Sequence, residues 1–548
     1  MAETHEKTVA EPGEPLDVVV VGAGFAGMYM LHRLRGLGFS VRVLEAGGDV
    51  GGTWYWNRYP GARCDVESMS YSYSFDDDLQ QDWNWSHRYA PQAEILDYAR
   101  HVADRFDLKR DITFDCRVTS ARFDDAVGLW ALTTEHGEHI TARHCIMATG
   151  CLSTPKMPEI EGIETFQGAC HHTGDWPRDG VDFSGKRVAL IGTGASGVQS
   201  TPVIAAEAAH LTVFQRTANF SAPAWNAPLK PDEIAGWKAN YGHWRDRERT
   251  THSGFHNEGG HPAAVKITPE EQQDVLEKQW RQGGLLMWNV FSDLMTNREA
   301  NETASEFMRQ KIRAVVKDPE TAERLCPRAH PMGAKRLCVD TDYYETFNRD
   351  NVALIDIAQD PVERLTANGL VQGGREHAFD VIVFATGFDA MTGTLLRMDI
   401  HGRGGLRLRD KWRDGPMSYL GLAMAGFPNL FTITGPGSPS VMSHVLMSLE
   451  QHVDWITDCL VRMRDRGMDI VEATETAERD WVDHVNDVAA GTLFVEADSW
   501  YMGANVPGKP VGFMPYIGGA HKYRERCDEI AANGYEGFSM SRALNRAD

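Results

Sequence analysis

Nine cysteines, odd in number and without a Cys-x-x-Cys pair, provide neither a disulfide framework nor a zinc ribbon. They are read as reduced thiols, and no metal site is expected. No stretch approaches the roughly 18 apolar residues of a membrane span. The leader MAETHEKTVAEPGEPLD has neither a basic n-region nor an apolar h-region, so a cytoplasmic protein is the expectation. Cations are the scarcer charge, with 55 Lys plus Arg against 77 Asp plus Glu and a net charge of −22. That balance gives no general attraction to phosphate backbones or anionic lipid, which argues against nucleic acid and membrane surfaces as partners. What is present is an ordinary globular composition, 548 residues with 42% hydrophobic and 24% charged. At about 150 residues per domain, three or four domains are expected. The 52 glycines are the informative residues, because of where they fall.

Leu16 to Val21 is an apolar, β-branched run of the kind a parallel strand buried on both faces requires. It ends in Gly22-Ala23-Gly24-Phe25-Ala26-Gly27. A helical segment from Met28 to Gly38 follows, then a second strand, Val41 to Leu44, closing on Glu45. Gly-x-Gly-x-x-Gly at the first turn of a β-α-β unit is the dinucleotide fingerprint. The glycines permit the turn, the approach of a pyrophosphate and close helix packing, while the helix N-terminus supplies N–H groups. Glu45, 23 positions after Gly22, stands where an acid accepts hydrogen bonds from ribose hydroxyls. This first site therefore reads as FAD or NAD.

The pattern recurs with Arg187 to Ile191, Gly192-Thr193-Gly194-Ala195-Ser196-Gly197, a helix, and the strand Leu211 to Phe214. At the place of the acid stands Gln215, followed by Arg216. A guanidinium in place of a carboxylate suits a ribose carrying a 2′-phosphate, so the second site reads as NADP. Two further strands run into identical tripeptides, Ala148-Thr149-Gly150 and Ala385-Thr386-Gly387, each read as a chain crossing between nucleotide domains. Ala222 to Pro331 carries apolar residues at helical spacing, among them Ala304, Phe307, Met308, Ile312 and Val315. It reads as a helical insertion whose Trp280, Met287, Trp288 and Met295 are core. A strand from Asn429 to Thr434 and an amphipathic helix from Ser443 to Cys459 should complete the first domain.

These features predict an α/β fold with two Rossmann-like dinucleotide-binding domains, each discontinuous, and a helical insertion. Residues 1–150 and 388–548 form the FAD domain, 151–221 and 332–387 the NADP domain, and 222–331 the insertion. Two dinucleotide sites imply that a nicotinamide reduces a tightly held second cofactor, usually a flavin. A disulfide reductase would need a redox cysteine pair near the first site, where only Cys64 stands.

Phe166, Gly168, His172, Trp176 and Pro177 match Phe-x-Gly-x-x-x-His-x-x-x-Trp-Pro, just before the second glycine motif. This resembles the fingerprint of type I Baeyer-Villiger monooxygenases, class B flavoprotein monooxygenases, and looks closest to the phenylacetone- and cyclohexanone-oxidising branch. Heteroatom-oxidising relatives usually end the pattern in Tyr or Phe. The resemblance implies FAD, NADPH and O2, a small-molecule ketone substrate, and an ester or lactone product formed through a C4a-peroxyflavin and a tetrahedral Criegee adduct. It also implies the following roles. Asp65 and Arg336 are the catalytic pair, the guanidinium stabilising peroxide and developing alkoxide. The segment around Thr53, Trp54, Tyr55 and Trp56 runs along the flavin, Val445 contacts it, and Tyr71 and Val118 are cofactor-binding. Arg63 and Cys64 lie near the nicotinamide half of NADP. Ala195, Ser196, Val198 and Gln199 join Gly194 and Gly197 in holding NADP. Lys335 joins Arg216 and Thr217 at the 2′-phosphate. Trp500 sits on a mobile loop that closes over NADP and substrate. His172 holds the linker between nucleotide domains rather than acting as acid or base. Cys151 and Met442 depart from the expected pocket, leaving substrate range open. Two alternatives stand beside this reading: a sulfide- or amine-oxidising flavin monooxygenase, and a non-catalytic flavoprotein sensor. The oligomeric state is open, with a monomer favoured.

Overall fold

Val18, Val19 and Val20 are fully enclosed, so their strand needs partners on both edges and cover on both faces. In the computed structural model, which describes residues 14–543, Leu16–Val21 pairs in parallel with Val41–Leu44 on one side and His139–Met147 on the other. Residues 1–13, read above as lacking a targeting segment, and 544–548, the end of the proposed first domain, lie outside the described residues. The sheet runs from Asp399–His401 through Val118–Asp124, Leu129–Thr134, His139–Met147, Leu16–Val21 and Val41–Leu44 to Ile112–Thr113. Leu430–Thr432 adds in parallel to His139–Met147. Two strands of this sheet thus come from the far side of the chain.

A second sheet is parallel throughout, in the order Val352–Asp356, His210–Gln215, Arg187–Ile191, Val381–Phe384, Ala169–His172. Helices Phe25–Gly36 and Ala195–Glu207 follow the first strand of each glycine motif. The fold is α/β with two Rossmann-like units. Ser221–Pro223 pairs with Cys338–Asp340, and every described element between these two short strands is helical.

Those helices enclose a core that they share with other parts of the chain. Tyr241 and Leu285 join the core of the first sheet and Ile312 that of the second, while Phe291, Phe307 and Met308 pack with Met442, Tyr501 and Phe513. Of the four residues read as insertion core, Met287 and Trp288 are buried, and Trp280 and Met295 are only partly covered. Several expected elements change their bounds: the helix expected over 28–38 is Phe25–Gly36, and the strand expected over 211–214 is His210–Gln215. The strand expected over 429–434 is Leu430–Thr432, because Asn429 and Thr434 adopt φ of +59° and +57°, which ends an extended run at both sides. The helix expected over 443–459 is Val445–Asp465, its buried stripe continuing through Leu460 and Met463.

Candidate active site

Both glycine motifs fold by the same steric logic. Gly22 and Gly192 take φ of +105° and +115°, and a Cβ on either would lie 2.5 Å from Ala148 O or 2.4 Å from Ala385 O. Each first glycine is therefore pressed on an Ala-Thr-Gly crossing, where no side chain fits. Gly27 and Gly197 close against Gly22 O and Gly192 O. In front of the first helix, Gly24 faces Gly52, with a Cβ on Gly24 reaching 3.4 Å from Gly52 Cα. In front of the second, a Cβ on Gly194 meets nothing within 4 Å. Both helix N-termini thus present bare backbone to a cradle that side chains would fill, and this fits a pyrophosphate at each.

Around the first cradle, Glu45 is buried. Its Oε2 accepts from Ala23 N at 2.6 Å and its Oε1 from Gly47 N at 2.7 Å. The acid expected at the ribose thus also ties together the two loops that border that site. Burial raises its pKa, opposed by those two N–H groups. Ala26 lies in the first turn of the helix. Thr53–Trp56 form a single helical turn. Trp54 Nε1 donates to Tyr71 Oη at 3.1 Å, and Tyr71 packs beside His444, the residue before Val445. Tyr55 accepts from Gly48 N at 2.9 Å and lies under the guanidinium groups of Arg58 and Arg178. Trp56 packs edge-on against Tyr55. Val118 opens its strand inside the apolar core with Val19, Val21 and Leu44.

Residues 59–65 bring the two sites together. Tyr59 Oη donates to Gln199 Oε1 at 2.8 Å, and Gln199 Nε2 donates to Arg63 O at 3.1 Å. A Cβ on Gly61 would lie 2.2 Å from Gln199 O, so only glycine lets this segment touch the helix carrying Ala195, Ser196 and Val198. Cys64 follows, buried, its thiol pKa raised by burial and then by Asp65.

Asp65 meets Arg336 from the other half of the chain. Asp65 Oδ2 accepts from Arg336 Nη2 at 2.7 Å and Nε at 3.1 Å, while Nη1 donates to Val441 O at 2.9 Å. Burial alone would lower the Arg336 pKa, but Asp65 and Tyr501 hold it raised. The guanidinium thus stays charged and fixed in rotamer. Two neighbours escaped the sequence reading. Trp288, assigned there to core, is buried and also lies under the guanidinium, 5.9 Å from ring centroid to Cζ. Tyr501 is fully buried against Arg336, its hydroxyl pushed up to about 12 by burial. No local signal marks either residue. The only hint is Gly333, at φ +88°, where a Cβ would strike the Trp288 indole.

Lys335, half-buried, and Arg216, exposed, lie close enough that the guanidinium adds to burial in lowering the ammonium pKa. Two cations that repel one another in this way suit a dianion between them. Thr193 Oγ1 donates to Thr217 O at 2.8 Å, fixing the strand end that carries Arg216. Trp500 begins a short turn. With Cys151 and Val441 it packs around Ala390, Met391 and Met514, and Met442 is buried in the adjoining cluster with Trp288 and Tyr501. His172 Nδ1 accepts from Gly174 N at 3.0 Å, and its Nε2 faces Thr386 Oγ1 at 3.2 Å. It ties the fingerprint to the second crossing.

Residues 19–240 match the family model described as pyridine nucleotide-disulphide oxidoreductase. The chain is 42% identical over 546 residues to a Baeyer-Villiger monooxygenase of Pseudooceanicola batsensis, covering 99% of each. It is 43% identical to the phenazine N-monooxygenase PhzNO1 of Lysobacter antibioticus, covering 96% of this chain and 97% of that protein. Among solved structures, oxidized steroid monooxygenase bound to NADP superposes with a TM-score of 0.93 at 48% identity, covering 96% of this chain and 100% of that one. With two glycine cradles, the Asp65–Arg336 pair between them and full-length identity of this order, the chain belongs to the Baeyer-Villiger monooxygenase family.

Proposed function

We propose that this protein converts ketones to esters or lactones, with NADPH as electron donor and O2 as oxidant. FAD is held at the first glycine cradle and NADPH at the second. The flavin, when bound, supplies the two-electron chemistry that activates O2. What the chain supplies is position and charge. Arg336 holds a permanent positive charge where a carbonyl oxygen acquires negative charge, and fixed charge in a site sheltered from water is the strongest form of such stabilisation. Asp65 fixes the guanidinium rotamer and offsets part of its charge. Trp500, Val441 and Met442 exclude water. The observation that carries the reading is the Asp65–Arg336–Val441 contact, formed by three segments remote in sequence beside both cradles.

The division into 1–150 with 388–548, 151–221 with 332–387, and 222–331 is part of the same reading, supported by strands 399–401 and 430–432 in the first sheet and 352–356 and 381–384 in the second. A monomer is supported by a candidate site drawn entirely from one chain. A cytoplasmic location is supported by nine free cysteines, seven of them buried.

The test is oxidation of a ketone panel under 18O2 by FAD-loaded protein with NADPH. The expected product is an ester carrying one 18O. NADPH consumption that yields only hydrogen peroxide overturns the reading. The 43% identity to a phenazine N-monooxygenase supports a second reading, heteroatom oxidation. N-oxide or sulfoxide formed without ester at any pH would establish it instead.

Arg216→Ala is expected to raise the KM for NADPH about tenfold to a hundredfold, the worth of a charge-assisted hydrogen bond, and to leave that for NADH unchanged. Steady-state kinetics with both nucleotides checks this, and unchanged discrimination removes Arg216 from the phosphate.

A further inference from the structure

Lys156 lies just beyond the first chain crossing and is unused in the reading above. Its ammonium donates to the carbonyl of Asn505, in the loop that carries Trp500. Asn505 Nδ2 donates in turn to Phe388 O at 2.9 Å. Further along the same loop, Lys509 Nζ reaches Asp389 Oδ1 and Ala390 O, each at 2.7 Å. The loop is thus strapped to the chain just past both Ala-Thr-Gly crossings. The backbone of Lys156 is equally fixed. Its N–H donates to Gly387 O at 3.0 Å, and its carbonyl accepts from Thr386 Oγ1 at 2.7 Å, the hydroxyl that His172 Nε2 faces. Fingerprint histidine, crossings and loop form one hydrogen-bonded series.

The same ammonium feels the charge of Arg216, as the ammonium of Lys335 does, and after burial Arg216 is the largest influence lowering either pKa. None of these three cations forms an ion pair among the described residues, and Asp389, the acid that acts most on Lys156, is engaged by Lys509. An ammonium carries three donors. Lys156 spends one on Asn505, so it can meet an anion without releasing the loop.

We propose that Lys156 is a positioning residue that reads the 2′-phosphate of NADP together with Arg216 and Lys335, and transmits its presence through Asn505 to the Trp500 loop. This rests on the reading of Arg216 and Lys335 as the phosphate site. A phosphate dianion among the three cations relieves their mutual repulsion and holds the Lys156 stem in place, and the loop is ordered through it. A nucleotide without that phosphate leaves the repulsion intact and the loop less firmly held.

The experiment is hydrogen–deuterium exchange of residues 499–511 in the FAD-loaded protein with saturating NADP+ or NAD+. In the unsubstituted protein NADP+ slows loop exchange more than NAD+ does. In K156M and K156Q, NADP+ binds about tenfold more weakly. At saturation it slows the loop no more than NAD+, with FAD content and Tm unchanged, and K156R restores the difference. A K156M loop slowed by NADP+ as in the unsubstituted protein overturns the proposal. R216A separates the two levels. If R216A loses discrimination between the nucleotides while K156M keeps the loop response, only the role of Lys156 falls. If R216A keeps discrimination, the phosphate reading itself falls.

Discussion

Replacing Arg336 with alanine is expected to leave FAD bound and reducible by NADPH while lowering ester formation by at least a hundredfold to a thousandfold, the scale on which losing one preorganised oxyanion donor acts. NADPH oxidation should continue and yield hydrogen peroxide, because the flavin still meets O2 while nothing stabilises charge on the ketone oxygen. The guanidinium has two bonds to Asp65 and a third to Val441 O, so its position is set before substrate arrives. Arg336→Lys retains a charge but cannot reproduce this fork, and should recover only part of the loss. Product analysis by gas chromatography beside peroxide quantitation checks both variants. Ester formation by Arg336→Ala within tenfold of the unsubstituted enzyme would remove the residue from this role. Asp65→Asn serves as the control, since it keeps shape and Arg336 charge while weakening the hold on the rotamer, and a smaller loss is expected.

The parts of this enzyme legible in the sequence are those governed by local sterics. Strands Leu16–Val21, Val41–Leu44 and Arg187–Ile191 stand where the sequence predicts them, and Val381–Phe384 runs into the second Ala-Thr-Gly as expected. Gly22 and Gly192 announce themselves because a turn pressed on a neighbouring carbonyl admits no other residue. The Asp65–Arg336 contact was expected from family resemblance, not from spacing, for 271 positions separate the two. Trp288 and Tyr501 show what local pattern omits. Each is an apolar or aromatic residue in an ordinary core setting, and only the long-range fold places it on a guanidinium. Lys156 likewise has a sequence neighbourhood without signal, and its partners come from residues 386, 387 and 505. The boundary errors have the same origin. Asn429 and Thr434 read as strand by composition but turn left-handed. The charged residues Arg462, Arg464 and Asp465 look like a helix exit, yet the helix runs through them.

The second large effect concerns a charge pair that no motif marks. Arg245 and Glu248 lie three residues apart on the helix Tyr241–Thr250, 3.0 Å from one another, with side-chain exposures of 7% and 1%. Arg245 also donates to Ser70 O at 2.7 Å and to Ser72 O at 3.0 Å, while Glu248 accepts from Ser70 Oγ. The pair thus pins residues 70–72, including the Tyr71 that supports Trp54 beside the first cradle. Arg245→Met leaves Glu248 buried without its cation, which costs about 3–5 kcal/mol at neutral pH, and FAD should dissociate faster. Removing both charges, as in Arg245→Met with Glu248→Leu, should recover much of that stability. The pH dependence fixes the cause. In the unsubstituted protein burial would raise the Glu248 pKa, but Arg245 and His444 hold it below the ordinary value. Its contribution to stability is therefore complete above the unfolded carboxylate value of about 4.3 and is lost as pH falls through the lower folded one. In Arg245→Met the sign reverses. An uncompensated buried carboxyl titrates above its unfolded value, so the destabilisation grows as pH rises past about 4.3 and is smallest in acid. Urea unfolding at pH 4.5 and pH 7 compares the two proteins. A penalty equal at both pH values would mean that Arg245 acts through packing and its serine contacts, with no dependence on the charge of Glu248.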